Sequence, residues 1–223
     1  MSSCCETVRP YYEHDGITIY HGDCRDVLDS FSCDLIITDP PYGIHVPITP
    51  TGFFSAVQHD GATWDNRPDA ETLWRIAHKA PLAVIWGFGY FAGVLGSCVA
   101  PLVWDKCTGA NVFADGELAW TSFTTGTLRI FRHQWCGAFK DSERRLSAEH
   151  PTQKPAALMR WCISQADKRQ QSAVICDPFM GSGTTLVAAK FLGRQAIGVD
   201  INERYCEIAA RRLAQGILPL YAE

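Results

Sequence analysis

The chain has 223 residues, with 20 Lys and Arg against 24 Asp and Glu for a formal net charge of −4, which excludes a uniformly basic nucleic-acid coat. Hydrophobic residues make up 47% and charged residues 20%. These ordinary globular values exclude a disordered or fibrous chain and predict one domain over 1–223.

The opening stretch MSSCCETVRPYYEHDG has no apolar signal core, so the ten cysteines are expected to be reduced thiols of a cytoplasmic protein rather than a disulfide framework. They include no C-x-x-C pair, and the histidines are not at zinc spacing from them, so no metal is expected. A first buried strand is predicted at ITIYHGD, ending at Asp23 and followed by Cys24. A second, DLIITD, ends at Asp39 and leads into Asp39-Pro40-Pro41-Tyr42. The loop 43–67 carries Phe53, Phe54 and Trp64. It reads either as an element that closes over a ligand or inserts these aromatics into it, or as an ordinary mobile loop.

A helix is predicted over Ala70–His78. The uncharged stretch Ala80–Trp104 is long enough to cross a bilayer, but Pro81, Gly87, Gly89, Gly93, Gly96 and Pro101 divide it into strand, short helix and strand. No membrane contact is expected. ELAWTSF (Glu117–Phe123) and the following TLRIFRH suggest an antiparallel hairpin. The segment 124–149 carries Arg129, Arg132, Lys140, Arg144 and Arg145 with Trp135 and Phe139 between them. Such a basic face suits either contact with phosphates or a solvated loop.

Further helices are predicted at Ala156–Asp167, after Pro155 at a first-turn position, at Thr184–Leu192 and at Glu203–Ala214. The strands SAVICD and AIGVD end at Asp177 and Asp200. Strands alternating with helices predict an α/β, doubly wound, mostly parallel sheet with an antiparallel hairpin. Its carboxyl edge would collect Asp23, Asp39, Asp177 and Asp200 at the place where such sheets bind ligands.

The turn Asp177-Pro-Phe-Met-Gly-Ser-Gly-Thr184 suits close approach of a ligand to a helix N-terminus. A phosphate-binding P-loop would need a lysine after Gly183, where Thr184 stands. A dinucleotide fingerprint would need a third glycine where Leu186 stands, which also removes a nicotinamide oxidoreductase. An aspartate such as Asp200, one strand on, can accept ribose hydroxyls, so a nucleoside cofactor fits.

Asp39-Pro-Pro-Tyr42, His150-Pro-Thr-Gln-Lys-Pro155, Asp177-Pro-Phe-Met-Gly-Ser-Gly-Thr184 and Gly198-Val-Asp200, in that order, resemble the S-adenosylmethionine-dependent amino methyltransferases of DNA in their beta-class arrangement. The resemblance runs from about Ile17 to Leu213 and implies a Rossmann-like methyltransferase fold. It implies catalysis by Asp39, Pro40, Pro41 and Tyr42 on an adenine or cytosine taken out of the helix. It places Asp177, Phe179, Gly181, Ser182, Gly183 and Thr184 on the methionine and ribose end of the cofactor. Asp200 is placed at its ribose, with Ile201 also among the cofactor-binding residues, Asp23 and Cys24 near its adenine, and His150, Thr152 and Lys154 at its methionine part.

Adenine N6 in duplex DNA is the expected target, because cytosine-N4 enzymes of this family more often have serine where this chain has Asp39. Cytosine N4, RNA or single-stranded DNA, and a silent nucleic-acid-binding protein are the alternatives. The short segment 124–149, where the family carries its target reader, implies a short target, relaxed specificity or a homodimer that shares recognition.

Overall fold

The central strands of the sheet are apolar on both sides, and both sides are covered by helices. The computed structural model describes residues 9–44, 65–109, 114–136, 139–143 and 153–215. Its strands are β1 (Tyr12–His14), β2 (Ile17–His21), β3 (Leu35–Thr38), β4 (Leu82–Trp86), β5 (Leu102–Asp105), β6 (Gly116–Thr121), β7 (Arg129–Arg132), β8 (Trp135–Cys136), β9 (Phe139–Lys140), β10 (Val174–Asp177) and β11 (Gln195–Asp200). The helices are α1 (Cys24–Val27), α2 (Ala70–Ala77), α3 (Phe88–Leu95), α4 (Ala156–Asp167), α5 (Thr184–Phe191) and α6 (Glu203–Ala214).

The main sheet has the order β1-β2-β11-β10-β3-β4-β6-β5-β7, with β8 and β9 as a separate ribbon. Strands β2, β11, β10, β3 and β4 run parallel, β1 and β6 run against them, and β5 and β7 resume the parallel direction. Side chains alternate across the pleat. Ile17, Ile19, Leu35, Ile37, Val84 and Trp86 pack on one face with Leu158, Cys162, Val187 and Ala209 from α4, α5 and α6. Ile36, Ile85, Cys176 and Val199 pack on the other with Val27, Leu73, Ile76 and Phe91 from α1, α2 and α3.

This two-sided cover has a geometric origin. A parallel crossover is right-handed, so a chain moving one way along the sheet lays its helix on one face, and a chain moving the other way uses the opposite face. The β10–α5–β11 unit moves outward from β10, and the β3–α2–β4 unit moves outward from β3 in the opposite direction. The strand order therefore reverses between β10 and β3, and a crevice opens at their carboxyl ends.

The uncharged stretch 80–104 forms β4, α3 and β5 as the prolines and glycines predict, and among the described residues no helix is long and apolar enough to cross a membrane. The expected hairpin requires correction. β6 pairs with β4 and β5, and β7 pairs in parallel with β5, so β5 lies between the two segments read as partners. The connection 122–128 is long enough to pass over one strand, since seven residues span up to ~23 Å and adjacent strands are ~4.8 Å apart. Consecutive strands do pair antiparallel at β1–β2, closed at Asp15 and Gly16, both at positive φ, and at β5–β6 and β8–β9.

Gly198 on β11 lies against the glycine turn, where an added Cβ would stand 2.5 Å from Met180 Sδ and 2.8 Å from Leu186 Cδ2. Both side chains would have to move within a closed core. Gly198→Ala is expected to lower stability by about 1–3 kcal/mol, read as a lower urea midpoint with an unchanged slope.

Candidate active site

The catalytic-turn candidate begins where β3 ends. Asp39 is partly buried, and its carboxylate accepts the Tyr42 hydroxyl at 2.5 Å on Oδ1 and the Lys154 ammonium on Oδ2. Lys154 reaches it from the segment before α4. Its Nζ also lies 3.0 Å from Glu117 Oε2, and the residue is 6% exposed. Glu117 is held a second time, by Lys106 Nζ at 2.5 Å on Oε1. The Lys154 ammonium further lies 5.6 Å from the Trp86 ring and 5.9 Å from the Tyr42 ring.

Burial raises the pKa of Asp39, with the Lys154 ammonium opposing it and Glu117 adding to the rise. Burial also opposes charge on Lys154 and Glu117, but the opposite charges around them prevail: Lys154 titrates above the ordinary lysine range and Glu117 falls to about 2. Tyr42 is pushed well above the usual phenol range by burial and by the carboxylate of Asp39.

The Tyr42 ring stacks on Tyr90 at 4.8 Å and 16° and meets Phe91 edge-on at 5.9 Å. Tyr90 is 46% exposed, so the stack continues towards solvent. The N-cap of α3 must be a glycine here. Gly87 has φ +79, and a Cβ on it would fall 2.3 Å from Tyr42 Cε1.

Across the crevice the glycine turn is held from both ends. Asp177 is buried; its Oδ1 accepts Thr38 Oγ1 at 2.7 Å and the Phe179 amide at 3.1 Å, and its Oδ2 accepts Thr185 Oγ1 at 2.6 Å. Asp200 Oδ2 accepts the Gly181 amide at 2.9 Å, and Oδ1 accepts the Asn202 amide at 2.8 Å. Gly183, the N-cap of α5, has φ +77 and would drive a Cβ to 2.7 Å from Ala209 Cβ. Burial raises the carboxyls of Asp177 and Asp200 to about 6 in spite of these hydrogen bonds.

The expected carboxylates do share one rim. Gly22, just before Asp23, donates its amide to the Asp200 carbonyl at 2.9 Å. The Asp23 side chain caps α1 through the Arg25 amide and grips the Arg25 guanidinium, which holds its pKa low. Cys24 is a buried thiol pushed up to about 12 by burial, and Ile201, beside Asp200, is 72% exposed.

Other sequence-derived candidates have partners within the protein. Ser182 and Thr184 are buried and turned towards the protein. Arg212 Nη1 on α6 donates to the Ser182 carbonyl at 2.6 Å, Ser182 Oγ at 3.0 Å and Thr184 Oγ1 at 3.2 Å, while Ser182 Oγ donates to Gln153 Oε1 at 3.2 Å. The Lys154 ammonium pairs with the protein's own Asp39 and Glu117, since a desolvated ammonium needs carboxylate partners. Arg129 and Arg132 lie on β7, the edge strand, ~19 Å from β3 by strand spacing. Both are exposed, and Arg132 pairs with Asp105 at 3.3 Å. His150, Thr152, Arg144 and Arg145, the Lys140 side chain, and Phe53, Phe54 and Trp64 lie outside the described residues.

Glu117, Tyr90 and Arg212 were not among the sequence candidates. Glu117 begins a reversed strand, so it reaches the rim at an amino end, whereas only carboxyl ends were read for acids. Tyr90 had a signal in the Gly-Phe-Gly run after β4, at the same edge as Asp39. Pro155 takes the N-cap position of α4, one residue before the first turn expected for it. Glu143, within the segment 124–149, is buried and accepts the Ala156 amide at 2.7 Å at the start of α4.

Comparison with known proteins places this geometry in context. The family model described as DNA methylase, of the N6 and N4 amino type, matches residues 63–211. The Type II methyltransferase M2.LlaDCHI of Lactococcus lactis subsp. cremoris is 28% identical, with 93% of each chain covered. M2.DpnII of Streptococcus pneumoniae is 27% identical, with 92% of each covered. Among solved structures, the M1.HpyAVI–SAM complex superposes with a TM-score of 0.58 at 23% identity, covering 88% of this chain and 99% of that one. The cytosine-N4-specific PvuII DNA methyltransferase gives 0.60 at 15%, covering 94% and 90%. At these identities the two structures speak for the fold alone.

A raised folded-state pKa makes a carboxyl stabilising below its ordinary value of 3.8 and removes that contribution as the pH climbs through about 6. Wild type should therefore gain about 2 kcal/mol relative to Asp177→Asn between pH 7 and pH 4.5. Urea midpoints at the two pH values measure it; a constant gap would show that Asp177 titrates ordinarily.

Proposed function

The chain belongs to the DNA methylase family of N6 and N4 amino methyltransferases, and from that premise we propose that it transfers the methyl group of S-adenosylmethionine to N6 of adenine in duplex DNA. The observation that carries this reading is the pairing, across one crevice, of the Asp39–Tyr42 turn at β3 with the Asp200-braced glycine turn at β10 and β11.

The donor set suits the cofactor. The Asp200 oxygens each take one backbone amide, and a carboxylate has about four acceptor positions, so capacity remains for ribose hydroxyls. The exposed Ile201 beside it offers an apolar surface to the adenine, with Asp23 and Cys24 at the neighbouring strand end. Phe179, Gly181 and Gly183 form the remaining wall. When bound, S-adenosylmethionine supplies an electrophilic methyl on a sulfonium.

The rest of the chemistry falls to the β3 turn. An exocyclic amine is a poor nucleophile because its lone pair is delocalised into the ring. Asp39 and the Pro40 carbonyl accept its two hydrogens, which favours a pyramidal nitrogen with the lone pair directed at the crevice. Pro40 and Pro41 fix that carbonyl. Asp39 has one oxygen on Tyr42 and the other on Lys154, and each retains a lone pair for the amine. Its raised basicity also fits it to take the proton that the amine loses once methylated. The Tyr42–Tyr90 stack supplies an aromatic surface for the extruded base.

We assign target reading to the segment 124–149 and phosphate contact to its basic residues, of which Arg132 ends β7 on the same edge of the sheet as Asp39. A reader this short suits a short target or a homodimer that shares recognition.

Incubation with labelled S-adenosylmethionine and duplex DNA, single-stranded DNA or RNA, followed by nucleoside mass analysis, tests the reading: N6-methyladenine from the duplex is expected. N4-methylcytosine would replace the target, and label in RNA alone would replace the substrate. Asp39→Ala should abolish transfer with cofactor affinity within about twofold of wild type, because it removes an acceptor used in the transition state. Asp200→Ala should weaken cofactor binding, measured by calorimetry, at least tenfold on the order expected for a lost charge-assisted pair.

A further inference from the structure

Glu117 stands on the one strand at this end of the sheet that runs against β4, and that reversal brings its carboxylate to the rim beside Asp39. A file of alternating charge runs along this rim: Lys106, Glu117, Lys154, Asp39. It ends at the Tyr42 hydroxyl. Side-chain exposure is 20% at Lys106, 24% at Glu117, 6% at Lys154 and 23% at Asp39, so the ammonium between the two carboxylates is the most buried charge of the four.

Within this file Lys154 is shared. An ammonium held by Asp39 alone would concentrate its charge on the carboxylate that the target amine must use. Its second carboxylate divides that charge. We infer that Glu117 is a positioning residue for methyl transfer, sharing the Lys154 ammonium so that Asp39 keeps an oriented, sufficiently basic oxygen for the target amine. The inference rests on the reading of Asp39 as the amine's acceptor.

Among the described residues, the charged and titratable groups facing Asp39 are Lys154 from the segment before α4, Glu117 from β6, Tyr42 from its own turn and Asp177 at the end of β10. Lys106 acts through Glu117. Burial sets Asp39 high, Lys154 lowers it and Glu117 raises it, while Glu117 itself, at about 2, stays charged throughout an ordinary assay range.

Two substitutions then act in opposite directions. Glu117→Gln removes a negative charge and leaves Lys154 to Asp39, so the acid limb of kcat against pH should move down by about one unit, with a plateau lower by about tenfold. Lys106→Gln leaves the Glu117 charge less compensated, so the acid limb should move up. Equilibrium affinity for S-adenosylmethionine should stay within about twofold in both variants, since neither touches the Asp200 side. Limbs that stay in place, or that move in the same direction, would overturn the inference even if the plateau falls, because a merely structural role predicts that pattern. Should Glu117→Gln fail to fold, Lys106→Gln decides alone by an upward limb or an unmoved one. Asp39→Ala is measured in parallel. Transfer retained there would refute the acceptor reading itself, whereas a dead Asp39→Ala with unmoved limbs refutes only the role of Glu117.

Discussion

A desolvated ammonium has to be paired, and the need of Lys154 for partners organises the site. Removing one partner from a buried ion pair typically costs 3–5 kcal/mol, because the remaining charge stays buried. Lys154 meets two carboxylates from two strands, Asp39 after β3 and Glu117 on β6. The ion therefore joins the parallel half of the sheet to its antiparallel half and anchors the segment leading into α4. The same contact sets the electrostatic state of Asp39, so that stability and chemistry draw on one group.

The cofactor side is organised by carboxylates that bind backbone. Asp177 and Asp200 spend their oxygens on the amides of Phe179, Gly181 and Asn202 and on the hydroxyls of Thr38 and Thr185. Those bonds fix a turn whose glycines leave little side-chain bulk to secure it. Arg212 braces the same turn from behind through Ser182 and Thr184. In consequence, the turn's conformation is imposed by its neighbours before any ligand arrives, which is what preorganisation requires. Ser182 links this side to Gln153, next to Lys154 in the chain, so the two halves of the crevice are mechanically joined.

Much of the fold was legible in the chain. Apolar runs ending in Asp23, Asp39, Asp177 and Asp200 gave the parallel strands, because a strand buried on both faces has a continuous apolar sequence and turns polar where it emerges. The division of 80–104 by prolines and glycines was legible for the same reason. The partners of β6 and β7 were not. Two alternating segments joined by a short loop look alike whether they pair with each other or enclose a third strand, and sequence distance does not distinguish the two. The carboxyl-end rule that located four aspartates also hid Glu117, whose strand runs the other way.

The sequence by itself determined the fold class, the family and the identities of the turn residues, since these depend on local order along the chain: Asp39 before Pro40, Gly181 and Gly183 before a helix, Asp200 at a strand's end. Only the tertiary structure decided which charges meet. It paired Lys154 with Asp39 and Glu117, set Arg212 against Ser182 and Thr184, and buried Glu143 at the start of α4. The physical reason is that ion pairing and burial depend on distance and desolvation in space. Lys154 and Asp39 stand 115 positions apart in the chain, and no local pattern records that they are neighbours.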